Sequence, residues 1–485
     1  MKGLVLASLL LLPSVHAAFN ATIACQQIQK VISSSSEVFW PGKYRSLRYT
    51  KDVNHWASSS SDVSACSVEP GTADDLGRVL QVIGSTRTPF AVKGGGHATN
   101  PGFSSTPGVH IAMYRFSEVN YVPLTQTVEV GAGLIWDDVY AALEPHDVNV
   151  VGGRVSGVGV AGFSLGGGYS WLSNQYGLTV DNIVAMELVL PDGKVTFVDA
   201  SNSDLLWALK GGAYNNLGIV TRFIMKAYPQ GQVWGGLMVI DGLHLDAVTE
   251  ATAKFSSDVT DPKAQIIPTY DFLTSPIVSL LMFYDAPTPP SGIFDDFLAI
   301  PSLDKDVKTR SFLSLVQSSP SNTTSGLRAV FHTVSLLENS AAVLKAVANE
   351  TIFWGNKLAL ASASFISYDV EPFLPGVFAN GKTALASYPP TRARTLMPLN
   401  IYWAWSLPTS DELIRSSIVQ SAAHLTQVAI SEGQDIGDAP LYSNYAIDTT
   451  PKERIFGANL PKLQALKALY DPQNVMDLAG GWKYS

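Results

Sequence analysis

Lys93-Gly94-Gly95-Gly96-His97, directly after the apolar run Pro89-Phe90-Ala91-Val92, is the stretch of this chain richest in potential chemistry. Three consecutive glycines carry no Cβ, so the backbone there can approach a ligand closely and turn its N–H groups toward an anion. The loop ends in an imidazole, a nucleophile placed where a ligand would touch. The combination reads as a cofactor cradle with a built-in attachment point. A strand running into a glycine turn with an incidental histidine is the plain alternative.

A second glycine-rich window spans residues 152–168 and meets two patterns at once. Gly157, Gly159 and Gly162 spell GxGxxG, which in a dinucleotide fold would be followed by Asp181 or Glu187 on the ribose. Gly162, Ser164 and Gly166 spell GxSxG, which would make Ser164 an acyl-transfer nucleophile. Context argues against both. A dinucleotide fingerprint opens the first strand–helix turn of its domain, whereas here several elements come before it. A nucleophile elbow needs a strand before the serine and a helix after it, and glycines occupy both sides. The window is therefore read as a backbone-rich surface on which an extended flat ligand can lie.

These loops need a scaffold. With 485 residues, the chain is long enough for two or three domains at roughly 150 residues each. Its 46% hydrophobic and 15% charged residues describe a folded, core-rich protein. A net charge of −9 without any basic cluster excludes the electrostatic footprint of a nucleic-acid binder. Residues 72–226 alternate strands and helices: Thr72 caps a helix carrying Leu76, Val79, Leu80 and Ile83, and Asp192-Gly193 turns a hairpin. Strands are expected near 89–93, 109–113, 119–123, 127–131 and 218–226, with helices near 135–144 and 203–210. From about 235 to 430 the runs 264–272, 278–284, 359–366 and 396–405 read as an antiparallel sheet. Helices near 340–354 and 411–430 would cover it. A last helix, 460–470, places Lys462 and Lys467 on its polar side.

The N-terminus has the form of a secretory signal: Met1-Lys2, an apolar stretch from Gly3 to Val15, and small residues before a cleavage point after Ala17. A secreted product with no membrane span follows from that reading. Asn20, Asn322 and Asn349 begin sequons and are expected on surface loops as glycan acceptors. Cys25 and Cys66 are the only cysteines, and an oxidising compartment would join them; two free buried thiols are the alternative. No HExxH or CxxC spacing offers a metal site.

The segments FAVKGGGH (90–97), GGRVSGVGVAGFSLGGGYSWLSNQYGLTVDNI (152–183), LLWALKGGAYNNLGIVTRF (205–223), YSNYAI (442–447) and FGANLPKLQALKALYDPQNVM (456–476) together resemble the berberine bridge enzyme-like flavin oxidases. That group lies within the vanillyl-alcohol oxidase superfamily, and its secreted fungal type is the best match. The resemblance covers essentially the whole mature chain. It implies an α+β fold with a two-part FAD-binding domain of the PCMH type (18–232) after a signal peptide (1–17). A substrate domain with a helix-covered antiparallel sheet (233–432) and a segment returning to the FAD domain (433–485) would come next.

By this resemblance His97 is joined covalently to FAD. Val155 stands where some members carry a second, cysteine attachment, so a single bond is expected. Val158 matches the position that gates oxygen. Lys93, Gly94, Gly95 and Gly96 would hold the pyrophosphate, and Gly157, Gly159 and Gly162 the ring and chain. Tyr176, Gly177, Asn182, Gly218 and Val220 would extend the site. Tyr169 matches a family tyrosine that acts as base or orienter, and Asn400 and Tyr402 share one face of a substrate-domain strand. Tyr445 matches a residue near flavin and substrate. Two departures stand out: Asn400 where relatives carry an acid or glutamine, and Ile447 where an aspartate is common. The implied activity is a secreted oxidase that moves a hydride from a small, apolar or aromatic substrate to the flavin and reoxidises with dioxygen. No nucleic acid, membrane or obligatory protein partner is involved. The alternatives are a carbohydrate oxidase, a flavin-bearing non-redox cyclase or binding protein, and a Ser164 hydrolase.

Overall fold

The computed structural model describes residues 12–42, 47–212, 214–319, 321–379 and 386–485. The expected signal segment, residues 1–17, falls largely outside these, since residues 1–11 are not described. Three large sheets organise the described residues, beside a two-stranded ribbon of Val148–Asn149 and Tyr228–Pro229. The first has four strands in the order Glu37–Phe39, Cys66–Glu69, Val109–Ala112, Phe90–Lys93, the last three parallel to one another. Helix Ala73–Thr86 covers it with Leu76, Val79, Leu80 and Ile83, and the Thr72 hydroxyl accepts from the Asp75 N–H at its start. A disulfide between Cys25 and Cys66 ties helix Leu12–Val31 to the strand Cys66–Glu69.

The second sheet is antiparallel, in the order Val119–Val122, Thr127–Gly131, Ile219–Lys226, Ile183–Val189, Val195–Val198. Together these two sheets pack into one hydrophobic core, which residues 446–484 rejoin through Phe456, Leu463, Met476 and Tyr484. An antiparallel second sheet has no place for a dinucleotide crossover, which rules out that reading of Gly157, Gly159 and Gly162.

The third sheet has seven antiparallel strands in the order Asp304–Arg310, Val233–Asp241, Pro276–Tyr284, Ala264–Phe272, Ala363–Asp369, Met397–Trp405, Arg328–Leu336. Its two faces follow the period-two alternation of the strands. Tyr270, Ile366, Tyr368, Leu399, Ile401 and Trp403 enter a second core beneath helices Ala341–Leu358 and Asp411–Ser431. Thr269, Asp271, Ser367, Asp369, Asn400 and Tyr402 face the opposite way, into a cavity.

Several details differ from the sequence reading. The strand expected at 359–366 runs instead over Ala363–Asp369, because Ala359–Ala361 finishes the preceding helix as a tight turn. The strands Val233–Asp241, Asp304–Arg310 and Arg328–Leu336 are additions to the expected set; the charged sequence of Asp304–Arg310 suits its place at the sheet edge. Lys467 is buried and paired with Asp471 and Asp477, not set on a polar face. Asn349 sits exposed within helix Ala341–Leu358, not on a loop, and the backbone of Asn20 lies in helix Leu12–Val31. Asn322 is exposed on a loop.

Candidate active site

The cavity lies between the glycine segments and the open face of the seven-stranded sheet, with a volume of ≈ 810 Å³. That is near the top of the range of roughly 300–1,000 Å³ usual for small-molecule sites. Gly94, Gly95 and Gly96 follow the strand Phe90–Lys93 and line one side. Gly159 and Gly162 come from the start of the short helix Val160–Leu165. The two glycine segments touch: a Cβ on Gly95 would collide with the backbone of Gly159. A Cβ on Gly162 would meet nothing within 4 Å, because that position opens on the cavity. The structure therefore offers a bare backbone trough of the kind a flat, anionic cofactor requires.

His97 stands at the end of this trough. Its ring stacks on Trp56 with centroids 4.3 Å apart and an interplanar angle of 17°. Phe331 lies beyond, at 6.2 Å. Burial lowers the imidazole to about 4, so the ring is neutral at physiological pH. Its Nε2 is buried and has no hydrogen-bond partner. A neutral, unpartnered ring nitrogen beside a glycine-lined cavity fits a group that attaches there.

Of the other expected cofactor contacts, Val155, Val158, Gly218 and Val220 line the cavity. The rest do not. Lys93 is 2% exposed and gives its ammonium to the carbonyls of Lys51, Asp52 and Asn54, so it holds the 51–54 backbone and is not among the residues that line the cavity. Gly157 turns its N–H to the Asp137 carboxylate at 2.9 Å. Tyr176 stacks on Tyr228 at 3.8 Å; Asn182 donates to the carbonyls of Tyr176 and Leu178 and accepts from the Tyr228 hydroxyl. Gly177 is likewise outside the cavity lining. Asp181 pairs with Arg392, and Glu187 with Arg222. Ser164 is fully buried within helix Val160–Leu165 and absent from the cavity lining, which removes the hydrolase reading.

The expected catalytic residues divide similarly. Tyr169 is 1% exposed, hydrogen-bonded to the Tyr388 hydroxyl and the Leu396 carbonyl, and its phenol is raised by burial. It is a core residue outside the cavity lining and cannot serve there as a base. Asn400, Tyr402 and Tyr445 do line the cavity.

Sequence reasoning missed the strongest titratable groups. Asp369, on the strand Ala363–Asp369, lines the cavity and is pushed up to about 7, chiefly by burial and next by the charge of Glu371. Asn400 donates its amide to Asp369 at 2.8 Å and so favours the anion. Glu371 forms a buried 2.6 Å ion pair with Arg154 and accepts from the Tyr445 hydroxyl at 2.9 Å. Arg154 also donates to the Tyr445 oxygen at 3.1 Å. Burial opposes the charge on Arg154, but Glu371 and Tyr445 more than offset it and hold the guanidinium above its usual range. The signal was present in the strands: acids at Asp271 and Asp369 share parity with Thr269 and Ser367 in otherwise apolar runs.

Comparisons with known proteins agree with this geometry. The sequence profile of an FAD binding domain matches residues 64–199, and that of the berberine and berberine-like group matches residues 441–479. An FAD-dependent monooxygenase of Aspergillus calidoustus, drtC, is 32% identical over 468 residues, 91% of this chain and 87% of its own length. An FAD-linked oxidoreductase of Arthroderma benhamiae is 39% identical over 272 residues, about half of each chain (55% and 54%). Among solved structures, the wild-type BBE-like protein 1 of Physcomitrella patens superposes with a TM-score of 0.74 at 20% identity, covering 93% of this chain and 97% of that one. The chain belongs to the berberine bridge enzyme-like family of FAD-linked oxidoreductases. It has the PCMH-type FAD-binding fold of that family and is an FAD-dependent enzyme.

Proposed function

We propose that the protein is a secreted oxidase that carries FAD on His97 alone. It would oxidise a C–H bond of a small, largely apolar or aromatic metabolite and pass the electrons to dioxygen, releasing hydrogen peroxide. One observation carries this reading: a neutral His97 with an unpartnered buried nitrogen at the end of a glycine trough. Bound FAD would supply the hydride acceptor and the centre that meets dioxygen. Gly94, Gly95, Gly96, Gly159 and Gly162 would hold it, with Gly218 and Val220 on the same wall. Val155 offers no thiol for a second bond, and Val158 leaves the approach to the ring apolar.

Asp369 is the residue placed to take the substrate's proton. It faces the cavity, ionises near neutral pH, and has its anion supported by the Asn400 amide. Tyr445 is fixed by Arg154 and Glu371 and presents its ring to the same space. Leu237, Val239 and Leu281 at one end of the sheet wall, and Phe331, Phe365 and Tyr402 at the other, favour an apolar or aromatic body. The Cys25–Cys66 bond supports maturation in an oxidising compartment.

The test is the visible spectrum of the purified protein, repeated on the acid-precipitated and washed pellet. Yellow colour that stays with the pellet, and washes out of His97→Ala, is expected. A flavin that washes out of the wild-type pellet would sink the His97 bond. The name of the Aspergillus relative makes oxygen insertion the rival chemistry. Peroxide formed in step with substrate, and no label from isotopic dioxygen in the product, is the outcome expected of an oxidase.

A further inference from the structure

A separate stretch of chain, residues 51–60, runs beside the loop that carries His97 and is bonded to it like a splint. Lys93 donates to the carbonyls of Lys51, Asp52 and Asn54. The Trp56 N–H donates to the Gly96 carbonyl at 3.0 Å, and the Ser60 hydroxyl donates to the Ala98 carbonyl at 2.7 Å. Both chain neighbours of His97 are therefore tied to the splint. On its other side the splint meets the strand Arg328–Leu336 and the residues before it. The Gly326 N–H donates to the Trp56 carbonyl at 2.8 Å, and the Ala329 N–H donates to the Ser59 hydroxyl at 3.1 Å.

Trp56 lines the cavity and lays its ring on the His97 imidazole. Phe331 continues the set, 5.9 Å from Trp56 and inclined to it by only 10°. The indole N–H is buried and has no partner, so Trp56 is held by its backbone bonds and its ring faces, not through its nitrogen. With its own N–H and C=O both bonded, Trp56 cannot follow a turning histidine. The stack therefore resists rotation of the imidazole about its side-chain torsions. A nucleophile that must meet a carbon at contact distance reacts faster when it is confined near the attacking orientation.

We propose that Trp56 is a positioning residue whose indole sets the plane of the His97 imidazole for the covalent attachment of FAD. The proposal rests on the reading of His97 as the attachment point. Attachment forms one bond between a ring nitrogen of His97 and the exocyclic methyl carbon of the flavin. It breaks one C–H bond of that methyl group and the imidazole N–H. The two electrons and two protons released pass to the flavin ring, and dioxygen takes them up as hydrogen peroxide. Trp56 enters none of these bond changes and acts only through His97.

The experiment compares secreted holoprotein of wild type, Trp56→Leu and Trp56→Phe, harvested at the same early time after induction. Flavin absorbance is divided between the supernatant and the washed pellet of an acid precipitation. In Trp56→Leu the share left in the pellet should fall about tenfold, the weight of one aromatic pair, while total flavin per protein stays within about twofold. Trp56→Phe keeps a ring to stack and loses no hydrogen bond, so it should restore the wild-type share. A Trp56→Leu pellet as yellow as the wild type overturns the proposal. So does a Trp56→Phe protein no better than Trp56→Leu, or a Trp56→Leu protein that loses total flavin in step with attached flavin. If Trp56→Leu is not secreted, Trp56→Met is read in the same way; failure of both beside a secreted Trp56→Phe makes Trp56 a folding residue and also overturns it. A colourless wild-type pellet sinks the His97 bond itself, whereas yellow pellets from wild type and Trp56→Leu alike sink only the role of Trp56.

Discussion

Asn400 and Asp369 are directly opposed across two antiparallel strands, and the Asn400 amide donates to the Asp369 carboxylate at 2.8 Å. Burial and the charge of Glu371 push the Asp369 carboxyl up, and the Asn400 hydrogen bond holds it partly back. With Asp369 at about 7, activity should rise with pH through neutrality as the carboxyl ionises. The Asn400 hydrogen bond lowers this value, so Asn400→Ala should move the rising limb of kcat/KM to higher pH. An unmoved limb would show that another group is the base.

The same elevation bears on stability. Asp369 binds its proton more tightly in the folded protein (about 7) than at the ordinary 3.8, so its contribution is fully present below the ordinary value and is lost as pH rises toward neutrality. Asp369→Asn removes that penalty. Its Tm relative to wild type should therefore improve between about pH 4 and pH 8, measured by scanning calorimetry.

Arg154 and Glu371 are both nearly inaccessible, and each neutralises the other. Arg154→Met or Glu371→Gln alone should destabilise the protein by about 3–5 kcal/mol, because each leaves a buried charge unpaired. The double variant should recover most of the loss. Thermal denaturation of all four proteins checks the coupling.

Lys93 serves three backbone carbonyls and not the cavity. Lys93→Met should lower stability by about 2–3 kcal/mol. The ratio of flavin to protein absorbance should stay at the wild-type value. A folded Lys93→Met protein that has lost its flavin would return Lys93 to the cofactor.

The Cys25–Cys66 bond closes a loop of 41 residues. Reduction should cost about 4 kcal/mol on the chain-entropy account, seen as a lower Tm in reductant. An unchanged Tm would mean that the packing of helix Leu12–Val31 alone holds the segment.

What was legible in the chain came from residue type. The glycines and His97 announce a cradle because no other residue type permits that backbone approach, and the strand Ala264–Phe272 announces itself by alternation. Side-chain direction was not legible. Lys93 and Tyr169 sit beside the glycine segments in sequence yet point into the core, since neighbouring residues on an irregular backbone need not share a face. Asp369 escaped notice because the apolar run at 359–361 drew the strand forward and ended it before the acid. The face of that sheet turned away from the helices lines the cavity, so an acid at the solvent-like parity points into the site and not out to bulk water.

The seven-stranded sheet separates two kinds of inheritance along each ribbon. On Ala363–Asp369, Ile366 and Tyr368 answer to the helices behind, while Ser367 and Asp369 answer to whatever fills the cavity. A lineage can exchange residues of one parity to acquire a new substrate and leave the other parity, and with it the ability to fold, untouched. Selection for chemistry and selection for stability then act on alternate letters of the same strand.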